Sequence, residues 1–290
     1  MPTAKINGCT LHYQQLGRGR DLVLIHGLLG NLAFWYFSVL PQLLGDFRVT
    51  LYDMRGHGRS EMVPRGYRTM EMAEDLRGLL DHLGIEQAHL VGHSFGGAVA
   101  LHYAANCPER TLSLTLADAW VPGLQRSFPP RNARIWARRR LKLRRAGFVI
   151  PEGLPIVAYS IFQELGRYSP TAGSNAAAAV PGFSESAAKH WTELVKTTSL
   201  PSEIGDSEAL PPQRIRGVTT PALAIYGQFS HCLPTLRGLQ KNLIHCEATI
   251  VPGVGHLHPL LQPCSFADSV KRFTLGLPEA SPSPIQGSVA

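Results

Sequence analysis

The pentapeptide Gly92-His93-Ser94-Phe95-Gly96 carries the clearest chemistry in this chain. A serine hydroxyl is a weak nucleophile, and it attacks a carbonyl only when a base can reach it and take its proton. A sharp turn achieves this, and glycines two residues to either side remove Cβ atoms that would strike the neighbouring backbone. The flanks fit. Ala88-His89-Leu90-Val91 reads as a strand, and Gly96-Gly97-Ala98-Val99-Ala100-Leu101 opens a small-residue helix that reaches Cys107 and stops at Pro108. Strand, G-x-S-x-G and helix in this order predict a nucleophile elbow with Ser94 at its tip. A metal centre has little support, because none of the twelve histidines shows H-E-x-x-H or comparable ligand spacing.

Such an elbow needs a sheet to hold it, and the pattern supplies one. Lys5 to Tyr13 reads as a hairpin turning at Asn7-Gly8, a pair suited to positive φ. Leu22 to Ile25 is a short apolar run of the kind buried on both faces, and Phe47 to Asp53 is a second strand. Met72, Leu76, Leu79, Leu80 and Leu83 recur at helical spacing, with Gly84 as the cap. Leu112 to Leu116 forms another strand that ends at Ala117-Asp118. Alternation then pauses until Ala222 to Tyr226, and it resumes with a helix near Leu236 to Leu243, a strand at Ala248 to Val251 and a helix near Phe266 to Leu275. The expectation is an α/β fold with a mostly parallel twisted sheet covered by helices on both faces. Residues 1–120 and 218–276 form its core, 121–217 a helical insertion after strand six, and 277–290 a disordered Pro/Ser-rich tail.

At this point the chain resembles the α/β-hydrolase family over nearly all of residues 5–276. Besides the elbow, three segments carry the likeness. His26-Gly27-Leu28-Leu29-Gly30 is similar to the family's oxyanion loop. Asp53-Met54-Arg55-Gly56-His57-Gly58-Arg59-Ser60 is similar to its D-x-R-G-x-G-x-S segment, and Gly253-Val254-Gly255-His256 to the loop holding its catalytic histidine. The resemblance implies that Ser94 is the nucleophile, His256 the general base, and the backbone N–H groups of Leu28 and Phe95 the oxyanion hole. His258, two residues on, then belongs to the substrate pocket wall, together with Trp35 and Trp120. His26, His57 and His93 are expected to bond local backbone, and Asp53 and Arg55 to form a structural contact. The 121–217 insertion is expected to be the lid.

The third triad member departs from the family pattern. The usual position follows the strand ending at Tyr226-Gly227, yet Gln228-Phe229-Ser230-His231-Cys232 holds no carboxylate. Some relatives place the acid one strand earlier, where this chain has Asp118. Ser94, Asp118 and His256 also keep the order nucleophile, acid, base. Asp118 is therefore the expected acid; a dyad oriented by Ser230 or Gln228 stays open.

The net charge of +7 comes from one place. Nine of the 28 basic residues lie in 126–145, where there is no acid, and outside it 19 bases face 21 acids. Within Arg131–Arg145, Ile135, Trp136, Leu141 and Leu143 sit among the arginines, as in a cationic amphipathic helix. That segment could be a solvated lid face. It could also dock an acidic acyl carrier protein, the phosphates of CoA or an anionic membrane surface. No reading motif accompanies the charge, so nucleic acid is not an expected partner.

With 44% hydrophobic and 17% charged residues, a disordered chain is excluded, and no apolar run is long enough to span a bilayer. The first residues show no signal-type stretch, and five unpatterned cysteines (9, 107, 232, 246, 264) read as free thiols in a cytoplasmic protein. The expected function is a cofactor-free serine hydrolase acting on a small-molecule ester or thioester with an apolar acyl group. Carbon–carbon or lactone hydrolysis on the same residues, or a noncatalytic ligand receptor of the same fold, are the alternatives. An aspartate-dependent dehalogenase or epoxide hydrolase is disfavoured by serine at position 94.

Overall fold

The computed structural model describes residues 2–125, 185–206, 208 and 210–277, with isolated positions at 138, 141 and 145. Eight strands form one sheet: β1 (Thr3–Ile6), β2 (Cys9–Gly17), β3 (Arg20–Ile25), β4 (Phe47–Tyr52), β5 (Ala88–His93), β6 (Thr111–Ala117), β7 (Ala222–Gly227) and β8 (Cys246–Val251). Their order is β1-β2-β4-β3-β5-β6-β7-β8. The β1–β2 and β2–β4 pairs are antiparallel and every later pair is parallel. The hairpin turns where expected, with Asn7 at φ 47° and Gly8 at φ 73°, the signs a type I′ turn requires.

Burial explains the strand sequences. Every residue of β5 and β7 is buried, so both faces of the central sheet are covered, and alternation is absent. β8 lies at an edge, and its four central residues are exposed. The helix Phe95–Asn106 buries ten consecutive residues, from Phe95 to Ala104. It has no polar stripe because it sits between the sheet and the helix Thr69–His82. Close approach sets its composition: a Cβ on Gly97 would come 2.5 Å from that of Ala119.

Between β6 and β7 the described residues include helices Glu185–Thr197, Leu200–Glu203 and Pro212–Arg216. The first two lie on the loop after β4, where His190 Nε2 donates to the Gly56 carbonyl and Glu203 accepts from the N–H groups of Gly66 and Tyr67; the third packs beside Phe95–Asn106, with Arg214 donating to Asn106 Oδ1. Most of the expected lid lies outside the described residues, as do the tail beyond 277 and all of the Arg131–Arg145 segment except Arg138, Leu141 and Arg145. Among the described residues no helix is long and apolar enough to cross a membrane.

Buried histidines make stability depend on pH, and two of them lie away from the elbow. His89 bonds Ser113 and His102 bonds Thr69, and burial holds the pKa of each down to about 4. The unfolded chain, titrating near about 6.5, takes up protons that the folded protein refuses, so stability falls as pH drops from there towards about 4. Each site is worth up to about 3 kcal/mol at the acid end. Urea melts from about pH 7 to about pH 4.5 should show this loss, and the double variant His89→Gln/His102→Gln should make it smaller, with the other buried histidines supplying the rest. A wild-type midpoint that does not change over the range would contradict the assignment.

Candidate active site

β5 ends at His93, and Ser94 makes the turn into the following helix with φ 55° and ψ −121°. A non-glycine residue in this region carries strain of about 1–3 kcal/mol, so the surroundings must hold it. They do so through the backbone. Ser94 N–H donates to Ala117 O at 3.0 Å, while Ser94 O accepts from Gly97 N–H at 3.0 Å and Trp120 N–H at 2.9 Å. The flanking glycines are required by contact, since a Cβ on Gly92 would overlap the Gly96 carbonyl and one on Gly96 would overlap that of His26. Gly27 faces the elbow from β3, where an added Cβ would come 2.9 Å from that of Ser94.

The loop after β3 meets this turn at Gly27, the residue before Leu28. His26 Nε2 accepts the Met54 N–H at 3.0 Å, which leaves Nδ1 as the protonated nitrogen, donating to Gly27 O at 2.8 Å. Burial lowers the pKa of His26 and keeps it in this neutral form. Gly30 N–H closes the loop onto Gly27 O at 3.1 Å, and Leu29 takes φ 66°. Phe95 is the first residue of its helix, so its N–H has no partner within the helix and lies at the positive end of the dipole. Asp53 anchors the loop from below by accepting the Leu32 N–H at 2.7 Å.

Asp53 and Arg55 do not pair with each other, contrary to expectation. Asp53 binds His12 Nδ1 at 2.8 Å and the Arg59 N–H at 2.9 Å, while Arg55 makes a two-pronged bond to Asp75. Both are structural, but the partners come from β2 and the helix Thr69–His82, distant in sequence.

Asp118 follows β6 with φ 45° and is fully buried. Its Oδ2 accepts the Gly227 N–H at 2.9 Å and faces His258 Nε2 at 3.2 Å, and its Oδ1 lies 3.9 Å from His256 Nδ1. Burial pushes its pKa up, but hydrogen bonding and charge from His256 and His258 outweigh that and hold the carboxyl well below the usual carboxylate range. A carboxylate from β6 thus reaches the histidine loop after β8, across the carboxylate-free end of β7. Neighbouring parallel strands ending side by side make this possible.

His93 and His231 join His258 around Asp118 and His256. His93 Nε2 donates to His256 O at 2.9 Å, and its ring lies 4.7 Å from that of His256 and stacks on Phe34. Burial, with His256 beside it, keeps His93 neutral by pushing its pKa well below the ordinary value. Its partner is 163 residues away, not local backbone. His231 packs with its ring 4.4 Å from that of His256, and Cys232 Sγ lies 3.8 Å from His256 Nδ1. Sequence reasoning passed over His231 and Cys232 because it searched the end of β7 only for an acid; their place after a central parallel strand was the available signal.

The three residues expected in the pocket wall are all buried. Trp35 is fully buried and stacks on Phe266 with centroids 5.8 Å apart, so it belongs to the core because its short helix turns inward. His258 is 1% exposed, and its Nε2 lies between Asp118 Oδ2 and Ile225 O. Trp120 is 4% exposed, with its ring 6.1 Å from Phe95 on the floor beneath the elbow. A cavity of about 450 Å³ opens near His12, Asn31, Tyr36 and Arg59, and neither Ser94 nor His256 lines it.

The family model described as alpha/beta hydrolase fold matches residues 22–257. The chain belongs to the α/β-hydrolase fold family. Within it, a putative carbamate hydrolase RutD of Pantoea ananatis is 41% identical over 116 residues, 38% of this chain and 42% of that protein. A soluble epoxide hydrolase of a Corynebacterium is 38% identical over 129 residues, 43% of this chain and 44% of that one. These matches span less than half of the relatives' own length. Among solved structures, the enol-lactonase from Burkholderia xenovorans LB400 aligns with a TM-score of 0.68 at 22% identity, covering 94% of this chain and 100% of that chain. At that identity the likeness speaks for the α/β-hydrolase fold, with the elbow at its expected place after β5.

Proposed function

We propose that the chain is a serine hydrolase acting on an ester or thioester with an apolar acyl group. What supports this reading is Ser94 at φ 55° at the tip of the elbow, together with a buried Asp118 whose Oδ1 lies 3.9 Å from His256 Nδ1. Ser94 Oγ attacks the acyl carbon while His256 takes its proton at Nε2. Asp118 faces His256 Nδ1, which orients the ring and stabilises the imidazolium. The N–H groups of Leu28 and Phe95 receive the negative charge on the former carbonyl oxygen. His256 returns the proton to the leaving alcohol or thiol, and water then repeats the sequence to release the acid and regenerate Ser94. Relatives named for carbamate and epoxide hydrolysis support hydrolysis as the reaction type. Serine at position 94 favours the acyl-enzyme route over an ester formed on a carboxylate.

The proposed acyl group is apolar, and each methylene it buries is worth about 0.8 kcal/mol. In a series of p-nitrophenyl esters and acyl-CoA thioesters, kcat/KM should then rise about fourfold per methylene until the pocket fills. Turnover of lactones alone, with no ester cleaved, would overturn the reading.

A further inference from the structure

We propose that His231, Cys232 and His256 form a binding site for a soft divalent cation, zinc foremost, and that occupying it withdraws the catalytic base. One nitrogen from each histidine and the thiol sulfur lie within 4.8 Å of one another. Cys232 Sγ and His256 Nδ1 are 3.8 Å apart. Around tetrahedral zinc, sulfur and nitrogen ligands sit about 3.6 Å apart and two nitrogens about 3.4 Å apart, so modest side-chain rotation closes the site.

The frame for this site is built in. β7 pairs with β8 as far as Gly227 and Val251. Beyond that pair, Gln228 N–H donates to Val251 O and Phe229 N–H to Val254 O, both at 2.9 Å, joining the two loops that carry the ligands. Cys232 N–H donates to Ser230 Oγ at 2.9 Å, which fixes the backbone that presents the thiol. The donor set is one thiolate and two imidazoles, which suits zinc, cobalt or copper and not magnesium or calcium. Asp118, with Oδ1 3.9 Å from His256 Nδ1, adds negative charge beside the cation.

Binding exchanges one proton and no electrons. The cation replaces the thiol proton of Cys232, which leaves to solvent, and the His256 ring proton moves from Nδ1 to Nε2. His256 then cannot accept a proton from Ser94 and has lost its Nδ1–H towards Asp118. The consequence for catalysis rests on the proposed function; the binding itself does not.

Cobalt(II) titrated into chelator-treated protein reads the site without any turnover. The expected result is one equivalent bound, with visible bands of tetrahedral cobalt, a near-ultraviolet thiolate-to-cobalt band, and displacement by zinc. Cys232→Ser should abolish the thiolate band, and Cys232→Ser or His231→Gln should each weaken binding at least about tenfold. Cys264→Ser, which removes an exposed thiol, should change nothing. Absence of the bands, or their loss in Cys264→Ser, would overturn the site. In a second arm, zinc should slow fluorophosphonate labelling of Ser94 in the wild type and not in Cys232→Ser; cobalt bands with unimpeded labelling would overturn the switch. If metal-free protein is not labelled at all, the hydrolytic reading fails, and the cobalt titration still decides the site.

Discussion

Replacing Ser94 with alanine should lower ester turnover by about a million-fold, to the level that binding and the oxyanion donors sustain alone. The size of the effect follows from the division of labour. Without the hydroxyl there is no acyl-enzyme, and His256 and Asp118 have no proton transfer to assist, so their contributions vanish with that of Ser94. The fold should tolerate the change. Alanine keeps the Cβ that meets Gly27, and the bonds that hold the turn come from the main chain of Ser94, not its side chain. Steady-state kinetics with the best p-nitrophenyl ester measures the loss; a decrease of only tenfold would mean that Ser94 is not the attacking group.

Asp118→Asn should cost about ten thousand-fold in kcat with KM little changed. The amide nearly matches the carboxylate in shape and its oxygen can still accept the Gly227 N–H, so the connection to β7 survives. What disappears is the negative charge facing His256 Nδ1, and with it the stabilisation of the imidazolium that forms as Ser94 loses its proton. His258 shares the carboxylate, at 3.2 Å from Oδ2. His258→Gln should therefore lower kcat far less than Asp118→Asn. Near-wild-type turnover in Asp118→Asn would remove this aspartate from the mechanism.

The parts legible in the sequence were those governed by short-range geometry. Asn7-Gly8 announces its turn because few residue pairs accept two positive φ angles. The elbow is readable for the same reason: Gly92 and Gly96 stand where any side chain would overlap backbone. Contacts between distant segments were harder to read. Arg55 turns to Asp75 and Asp53 to His12, pairings decided by which strands and helices lie side by side. His93 looked like a local backbone binder, yet it holds the loop of His256 from the other end of the chain. Trp35 looked like pocket wall because it follows the oxyanion loop, but four residues of helix suffice to turn it into the core. At β7 the missing carboxylate drew attention away from His231 and Cys232, which occupy the space instead.

The central claim is that Ser94 is an activated nucleophile. Treating the intact protein with a fluorophosphonate and locating the adduct by peptide mass spectrometry tests it most directly. The account predicts one adduct, on Ser94, that forms quickly in the wild type and is nearly absent in His256→Ala. A protein left unmodified, or modified at another hydroxyl with Ser94 intact, would contradict it.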